Sequence, residues 1–93
     1  MIRARITGTG SYLPERVLTN QELERIVDTN DEWIITRTGI KERRITGEGE
    51  ASSTLALRAS QRALEMAGVS PEELDVIIVG TVTPDMFFPS VGC

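Results

Sequence analysis

Three side chains at four-residue spacing carry the most chemistry in this 93-residue sequence: Thr29, Trp33 and Arg37. On a helix, residues i, i+4 and i+8 lie roughly along one face. A hydroxyl, an indole plane and a guanidinium in that row make a surface suited to a nucleotide. A flat base stacks on the indole, and a phosphate pairs with the arginine. Arg43 and Arg44 stand near enough in sequence to add positive charge. The same spacing also suits a purely structural role, in which Trp33 packs on a neighbouring loop, Arg37 pairs with an acid and Thr29 only caps. Trp33 is the only tryptophan, and its setting is unusual for a core residue. Asp28, Asp31 and Glu32 precede it, and Arg37, Lys41, Arg43 and Arg44 follow it.

Other reactive groups are scarce. The sequence has one cysteine, Cys93, and no histidine. The commonest general base and the commonest metal ligand are therefore missing. A cysteine nucleophile needs a lowered pKa, and a base or oxyanion donors to use it. On that chemistry Cys93 is read as structural, and no catalytic residue and no metal ligand is assigned in these residues. Gly8 and Gly10 spell G-x-G without the third glycine of a dinucleotide loop, so they read as the glycine-rich end of a strand. The formal net charge of −4 argues against nucleic acid as a partner. No apolar run approaches the roughly 18 residues of a membrane span. The opening "MIRARITG" lacks the apolar stretch of a secretory signal. A single cysteine without a disulfide framework fits a reducing cytoplasm.

The elements that must position these groups follow from pattern. "MIRARITG" alternates Ile2, Ala4 and Ile6 with Arg3, Arg5 and Thr7, which predicts a strand. Thr19 and Glu22 form a capping box ahead of a helix whose apolar face is Leu23, Ile26 and Val27. Thr29 and Glu32 repeat that spacing and predict a second, short helix through "NDEWIITR", stopped by Gly39. "IKERRITGEGEA" is polar and reads as a loop. "SSTLALRASQRALEMAG" predicts the longest helix, capped by Ser52 or Ser53 and ended by Gly68. Its face of Ala56, Ala59, Ala63, Met66 and Ala67 suits close packing. Ser70, Pro71 and Glu73 start about one further turn. The apolar, β-branched run Val76 to Val82 predicts a strand covered on both faces. "PSVGC" reads as the first turn of another helix, with Pro89 at its start. Phe87 and Phe88 precede it, and in extended chain their rings point to opposite sides.

Strand, helices, strand and a helix start make an α/β order. A strand covered on both faces needs more helix than these residues offer. Residues 1–93 are therefore expected to be the N-terminal part of a larger protein, with no second domain of their own, or a chain that associates with its own remainder.

The stretch "DTNDEWIITRTGIKERRI" closely resembles the N-terminal signature of β-ketoacyl-acyl-carrier-protein synthase III, a condensing enzyme of bacterial fatty-acid synthesis. "ITGTGSYLPERVLTN", "ALEMAG", "DVIIVGTVTP" and "FPS" extend the resemblance along the whole chain. It implies a thiolase-like fold of two similar α/β halves in alternating layers, normally a homodimer, of which these residues would be part of the first half. It implies transfer of the acetyl group of acetyl-CoA to a cysteine and condensation with malonyl-acyl-carrier protein. Acetyl-CoA would be a substrate, and no separate cofactor is implied. The positions matching Trp33 and Arg37 lie at the mouth of the CoA tunnel, with that of Thr29 close by. The family nucleophile lies beyond Cys93, as do its histidine and asparagine. Phe88 matches a position on a dimer loop that closes the partner subunit's acyl pocket. The resemblance also leaves room for a polyketide-priming relative, or for a non-catalytic truncated or split chain that only binds CoA or pairs with its complement.

Overall fold

The computed structural model describes residues 2–86 and 90–93. They form two compact units, one from Leu13 to Glu48 and one from Gly49 to Cys93 joined by the stretch up to Tyr12.

The Leu13–Glu48 unit holds strand β1 (Arg16–Thr19), helix α1 (Asn20–Glu24), helix α2 (Asp31–Thr38) and strand β2 (Glu42–Ile45). The two strands pair antiparallel, with Arg16 opposite Ile45 and Thr19 opposite Glu42. Neither strand was expected, and β2 falls within residues read as a loop. Four residues without a strong apolar pattern announce a strand only when a partner edge supplies the hydrogen bonds. The capping box behaves as predicted, since Thr19 Oγ1 accepts from the Glu22 backbone N at 3.2 Å. The helix is shorter than its pattern, however. It ends at Glu24, and Ile26 and Val27 lie beyond it, exposed at 69% and 49%. The core of this unit is small: Pro14, Leu18, Ile34 and the fully buried Asn20.

In the other unit, helix α3 (Ser52–Ala67) is followed by a 3-10 turn at Pro71–Glu73. Ser70 holds its cap position as expected, but only the Glu73 half of the capping box forms: Glu73 Oε1 accepts from Ser70 N at 3.4 Å and from the Ser70 hydroxyl at 3.2 Å. Gly68 ends α3 with φ +68°, the left-handed conformation that glycine adopts without penalty. The start of α3 differs from expectation. Its cap position is Ala51, which has no side chain to offer. One orphan amide is met from outside: Ser53 N donates to Asp85 Oδ1 at 2.8 Å, and the Ser53 hydroxyl donates to the other carboxylate oxygen. Ser52 Oγ also donates to the Thr83 carbonyl at 2.5 Å. The side-chain and backbone hydrogen bonds from Ser53 hold the exposed Asp85 carboxyl below its ordinary range.

The small-residue face of α3 receives residues 8–12 rather than a sheet. A Cβ on Gly8 would stand 2.4 Å from the Ala63 carbonyl, and one on Gly10 2.3 Å from the Ala59 carbonyl. The G-x-G pair thus exists for close approach to a helix, not for a phosphate. Beside it, Arg62 Nη1 donates to the Ser11 carbonyl at 2.7 Å. Arg58 donates to the Tyr12 hydroxyl and lies 4.8 Å from its ring centroid.

Two predicted strands are not strands here. Among the described residues, 2–7 and 76–82 carry no ladder. Their apolar side chains stand in solvent, with Ile6 at 84% exposure, Ile78 at 91% and Val82 at 96%. Alternation and β-branching favour extended backbone, but a strand also needs an edge to pair with. Of the predicted final helix, residues 90–93 make one turn, closed by Cys93 N donating to the Ser90 carbonyl at 3.0 Å.

Two outcomes follow. Gly10→Ala should destabilise the chain by about 1–3 kcal/mol, the usual cost of overpacking. Gly80→Ala, with open space around it, should stay within about 0.5 kcal/mol of wild type. Urea unfolding of both variants decides it, and equal midpoints would remove the close-approach argument. For Asp85, the folded pKa is the lower one. Its contact therefore contributes stability above the unfolded value of about 3.9 and loses it as pH falls through the folded value. The Ser53 amide shift should titrate below that value by NMR and stop titrating in Asp85→Asn.

Candidate functional site

Helix α2 carries the two residues of greatest chemical interest, and its ends are set by local chemistry. Asn30, not Thr29, occupies the cap: its Oδ1 accepts from Trp33 N at 2.7 Å. Asp31 and Glu32 in the first turn and Arg37 in the last complement the helix dipole. Gly39, at φ +72°, closes it as predicted. Thr38 Oγ1 donates to the Ile34 carbonyl at 2.7 Å and accepts from Ile40 N at 3.0 Å, which tightens the exit. Ile34, at 7% exposure, is the apolar side chain that α2 buries.

Trp33 is adjacent to Ile34, so about 100° around the helix it faces outward. It remains 54% exposed. One turn on, the Arg37 guanidinium carbon lies 5.4 Å from the indole centroid, within cation–π range. A pocket of about 200 Å³ opens beside the ring, lined by Asp28, Thr29, Asn30 and Trp33.

The structure therefore joins the three expected residues in two pairs. Trp33 meets Arg37 along the helix and meets Thr29 in the pocket. Thr29 lies outside α2, so it does not continue the helical row that its spacing suggested. Asp28 and Asn30 complete the pocket. Their positions flanking Thr29 were the available signal, but a capping amide and one acid in an acidic run do not stand out by type.

Arg43 and Arg44 do not extend the charge of this plate outward as expected. Arg43 Nη2 donates to Asn20 Oδ1 at 2.6 Å and its Nη1 to the Leu18 carbonyl at 3.3 Å. Arg44 Nη1 donates to the Pro14 carbonyl at 2.9 Å. Two guanidiniums that sequence offered to a phosphate are spent on backbone and amide oxygens. Chemically, what remains is an exposed aromatic plate with a cation over it and a hydroxyl, an amide and a carboxylate at its rim. That combination stacks a flat heteroaromatic ring and offers polar partners to its edge.

Elsewhere, Cys93 is exposed, and its Sγ lies 3.5 Å from Ser90 Oγ. Phe88 lies outside the described residues. An open groove of about 270 Å³ includes Ile77, Val79, Pro84, Met86 and Val91 in its lining and no titratable side chain. Among the described residues, no group of three or more histidine, cysteine, aspartate or glutamate side chains is placed to hold a metal. No described helix is long and apolar enough to cross a membrane.

Comparison with known proteins follows the same line. A β-ketoacyl-[acyl-carrier-protein] synthase III from Caldanaerobacter subterraneus subsp. tengcongensis is 66% identical over 92 residues, covering 99% of this chain and 28% of the relative. The crystal structure of 3-oxoacyl-[acyl-carrier-protein] synthase III from Aquifex aeolicus matches with a TM-score of 0.87 and 60% identity, over 95% of this chain and 28% of that one. The priming β-ketosynthase of the R1128 polyketide biosynthetic pathway matches with a TM-score of 0.84 and 44% identity, over 94% of this chain and 26% of its own. No protein-family model matches. The chain spans little more than a quarter of the length of these proteins. Within that span the resemblance is borne out, and the fold is similar to the N-terminal α/β portion of thiolase-like enzymes.

The capping assignment has a direct consequence. Asn30→Ala should destabilise the chain by about 1 kcal/mol, the usual worth of an N-cap. Thr29→Ala should change stability by less than about 0.5 kcal/mol. Urea titrations compare the two, and the reverse order would return the cap to Thr29.

Proposed function

We propose that this chain is the N-terminal segment of a fatty-acid-initiating condensing enzyme. The complete protein would join acetyl-CoA to malonyl-acyl-carrier protein with release of carbon dioxide, and this segment would form the mouth of its CoA tunnel. The observation that carries the reading is the Trp33 plate. A flat ring left 54% exposed beside a polar pocket, with a guanidinium over it, offers a heteroaromatic ring a stacking face with a cation and polar partners at its edge. That plate sits in a sequence 66% identical to a synthase III.

In this reading the adenine of CoA stacks on Trp33, with Thr29 at its edge, and Arg37 holds a phosphate. CoA enters as a substrate and leaves after acetyl transfer; no resident cofactor or metal is required. The cysteine nucleophile and the groups that activate malonyl are assigned to other residues of the complete enzyme, so the 93 residues alone are inactive and Cys93 is structural. Phe88 is assigned to a loop at the homodimer interface, where its ring limits the acyl pocket to a short primer. The enzyme works in the cytoplasm, without membrane or nucleic acid. A second reading, a synthase that primes polyketide chains, is supported by the match to the R1128 priming ketosynthase. The two share the nucleotide end of the site and differ in the acyl pocket.

Steady-state kinetics of the complete enzyme test these assignments together. Trp33→Ala should weaken kcat/KM for acetyl-CoA by about 1–3 kcal/mol, the worth of one base stacked on an aromatic ring. Arg37→Ala should weaken it with an effect that shrinks as salt rises. Acetyl-pantetheine, which lacks the nucleotide, should be indifferent to both changes, and equal losses on the two donors would exclude the nucleotide role. Phe88→Thr should shift preference towards longer acyl-CoAs, while Cys93→Ser should retain condensation.

A further inference from the structure

The orientation of the Trp33 plate depends on a residue that touches neither Trp33 nor the pocket. Asn20 is fully buried, at 0% exposure. Its Nδ2 donates to Asp31 Oδ1 at 2.8 Å and to the Ile40 carbonyl at 2.8 Å. Its Oδ1 accepts from Arg43 Nη2 at 2.6 Å. The orientation of the amide is chemically forced, because a guanidinium only donates and a carbonyl only accepts. Asp31 is the first residue of α2, and Ile40 follows its last residue, Thr38, by two. One side chain thus grips both ends of the helix. Its backbone N also donates to the Lys41 carbonyl at 3.1 Å, fixing the strand that follows.

An apolar side chain of this size would bury at lower cost, since a polar group in the interior is tolerated only when its hydrogen bonds are met. What the amide adds is direction. Ile34 anchors α2 at one point of its underside, and Glu24 Oε1 accepts from Asp31 N at 2.7 Å at its start, but neither of these two contacts reaches its far end. The Asn20 bonds hold both ends. Trp33 is exposed and has Arg37, on its own helix, over its ring, so the ring's aim follows wherever α2 is set.

We infer that Asn20, held by Arg43, is a positioning residue that sets α2 so that Trp33 and Arg37 present one fixed stacking surface. Its consequence for coenzyme A rests on the reading given under Proposed function.

Trp33 is the only tryptophan, so its fluorescence reports on α2 in the full chain without a label. Asn20→Asp turns the shared donor into an acceptor facing Asp31 and the Ile40 carbonyl. With circular dichroism confirming a folded chain, this variant should show lower Trp33 anisotropy and stronger acrylamide quenching than wild type. Coenzyme A, titrated against the same emission, should bind about tenfold more weakly, as expected for a misplaced contact surface. The double variant Asn20→Asp with Asp31→Asn returns a donor to the pair, now pointing from residue 31 to residue 20, and should recover part of the anisotropy. A merely structural role would lower the melting temperature and leave the folded ring's anisotropy unchanged. A folded Asn20→Asp chain with wild-type anisotropy and quenching overturns the inference. Should Asn20→Asp not fold, Asp31→Ala takes its place, removing the acceptor from a half-buried position; unchanged Trp33 anisotropy there also overturns it. If wild-type emission ignores coenzyme A while Asn20→Asp loosens the ring, the positioning stands and the nucleotide reading fails.

Discussion

The buried amide of Asn20 is the constraint on which the Leu13–Glu48 unit depends. A primary amide has two donors and an acceptor oxygen with two lone pairs. Here both donors are used, on Asp31 and Ile40, and the oxygen takes the Arg43 guanidinium. Removing one partner would leave a desolvated polar group at a cost of about 1–3 kcal/mol. That penalty gives the arrangement its specificity: few other placements of α1, α2 and β2 would satisfy all of these groups at once. The apolar core around it is too slight to decide the matter, since only Pro14, Leu18 and Ile34 are buried apolar residues there. Non-directional burial brings the elements together, and the hydrogen bonds choose their angles.

The other unit solves a different problem. Helix α3 has no fully buried residue, and its cap position cannot cap. Asp85, 32 residues from Ser53, provides the missing acceptor. A carboxylate is the stronger partner for an orphan amide, and it also favours the positive end of the helix dipole. Along the side of α3, small residues meet glycines, so backbone approaches backbone with no side chain between them. Arg58 and Arg62 then lie against the Tyr12 ring, at 4.8 and 5.4 Å from its centroid. Their aliphatic stems and planar heads do packing that a larger apolar residue on this face would otherwise do.

The basic residues after Trp33 divide according to these demands. Arg37 stays with the exposed ring. Arg43 and Arg44 turn to carbonyls and to the Asn20 amide, where five fixed donors per guanidinium allow several acceptors to be met together. Charge counted along the sequence therefore overstates the charge presented by the plate. The fixed framework and the exposed aromatic surface are two uses of one short, highly charged stretch.

Local signals were legible because the groups that make them lie within a turn or two of one another. The Thr19 capping box, the stops at Gly39 and Gly68, the turn at Ser70–Glu73 and the full length of α3 all belong to this class. So did the shared helix face of Trp33 and Arg37, which needs only helical spacing. The motif "DEWIITRTGI" added a resemblance that no periodicity contains. Contacts between distant residues were not legible. Thr29 and Asn30 are both good caps by type, and only the backbone geometry selected Asn30. Nothing in the sequence marks Asn20 as buried, Asp85 as the cap of α3, or the strands β1 and β2 as partners. The runs 2–7 and 76–82 show the converse, strong strand patterns without a ladder. A side chain's local preference is written in its own chemistry, but a hydrogen bond needs its partner at about 3 Å, and chain folding alone decides which distant group arrives there.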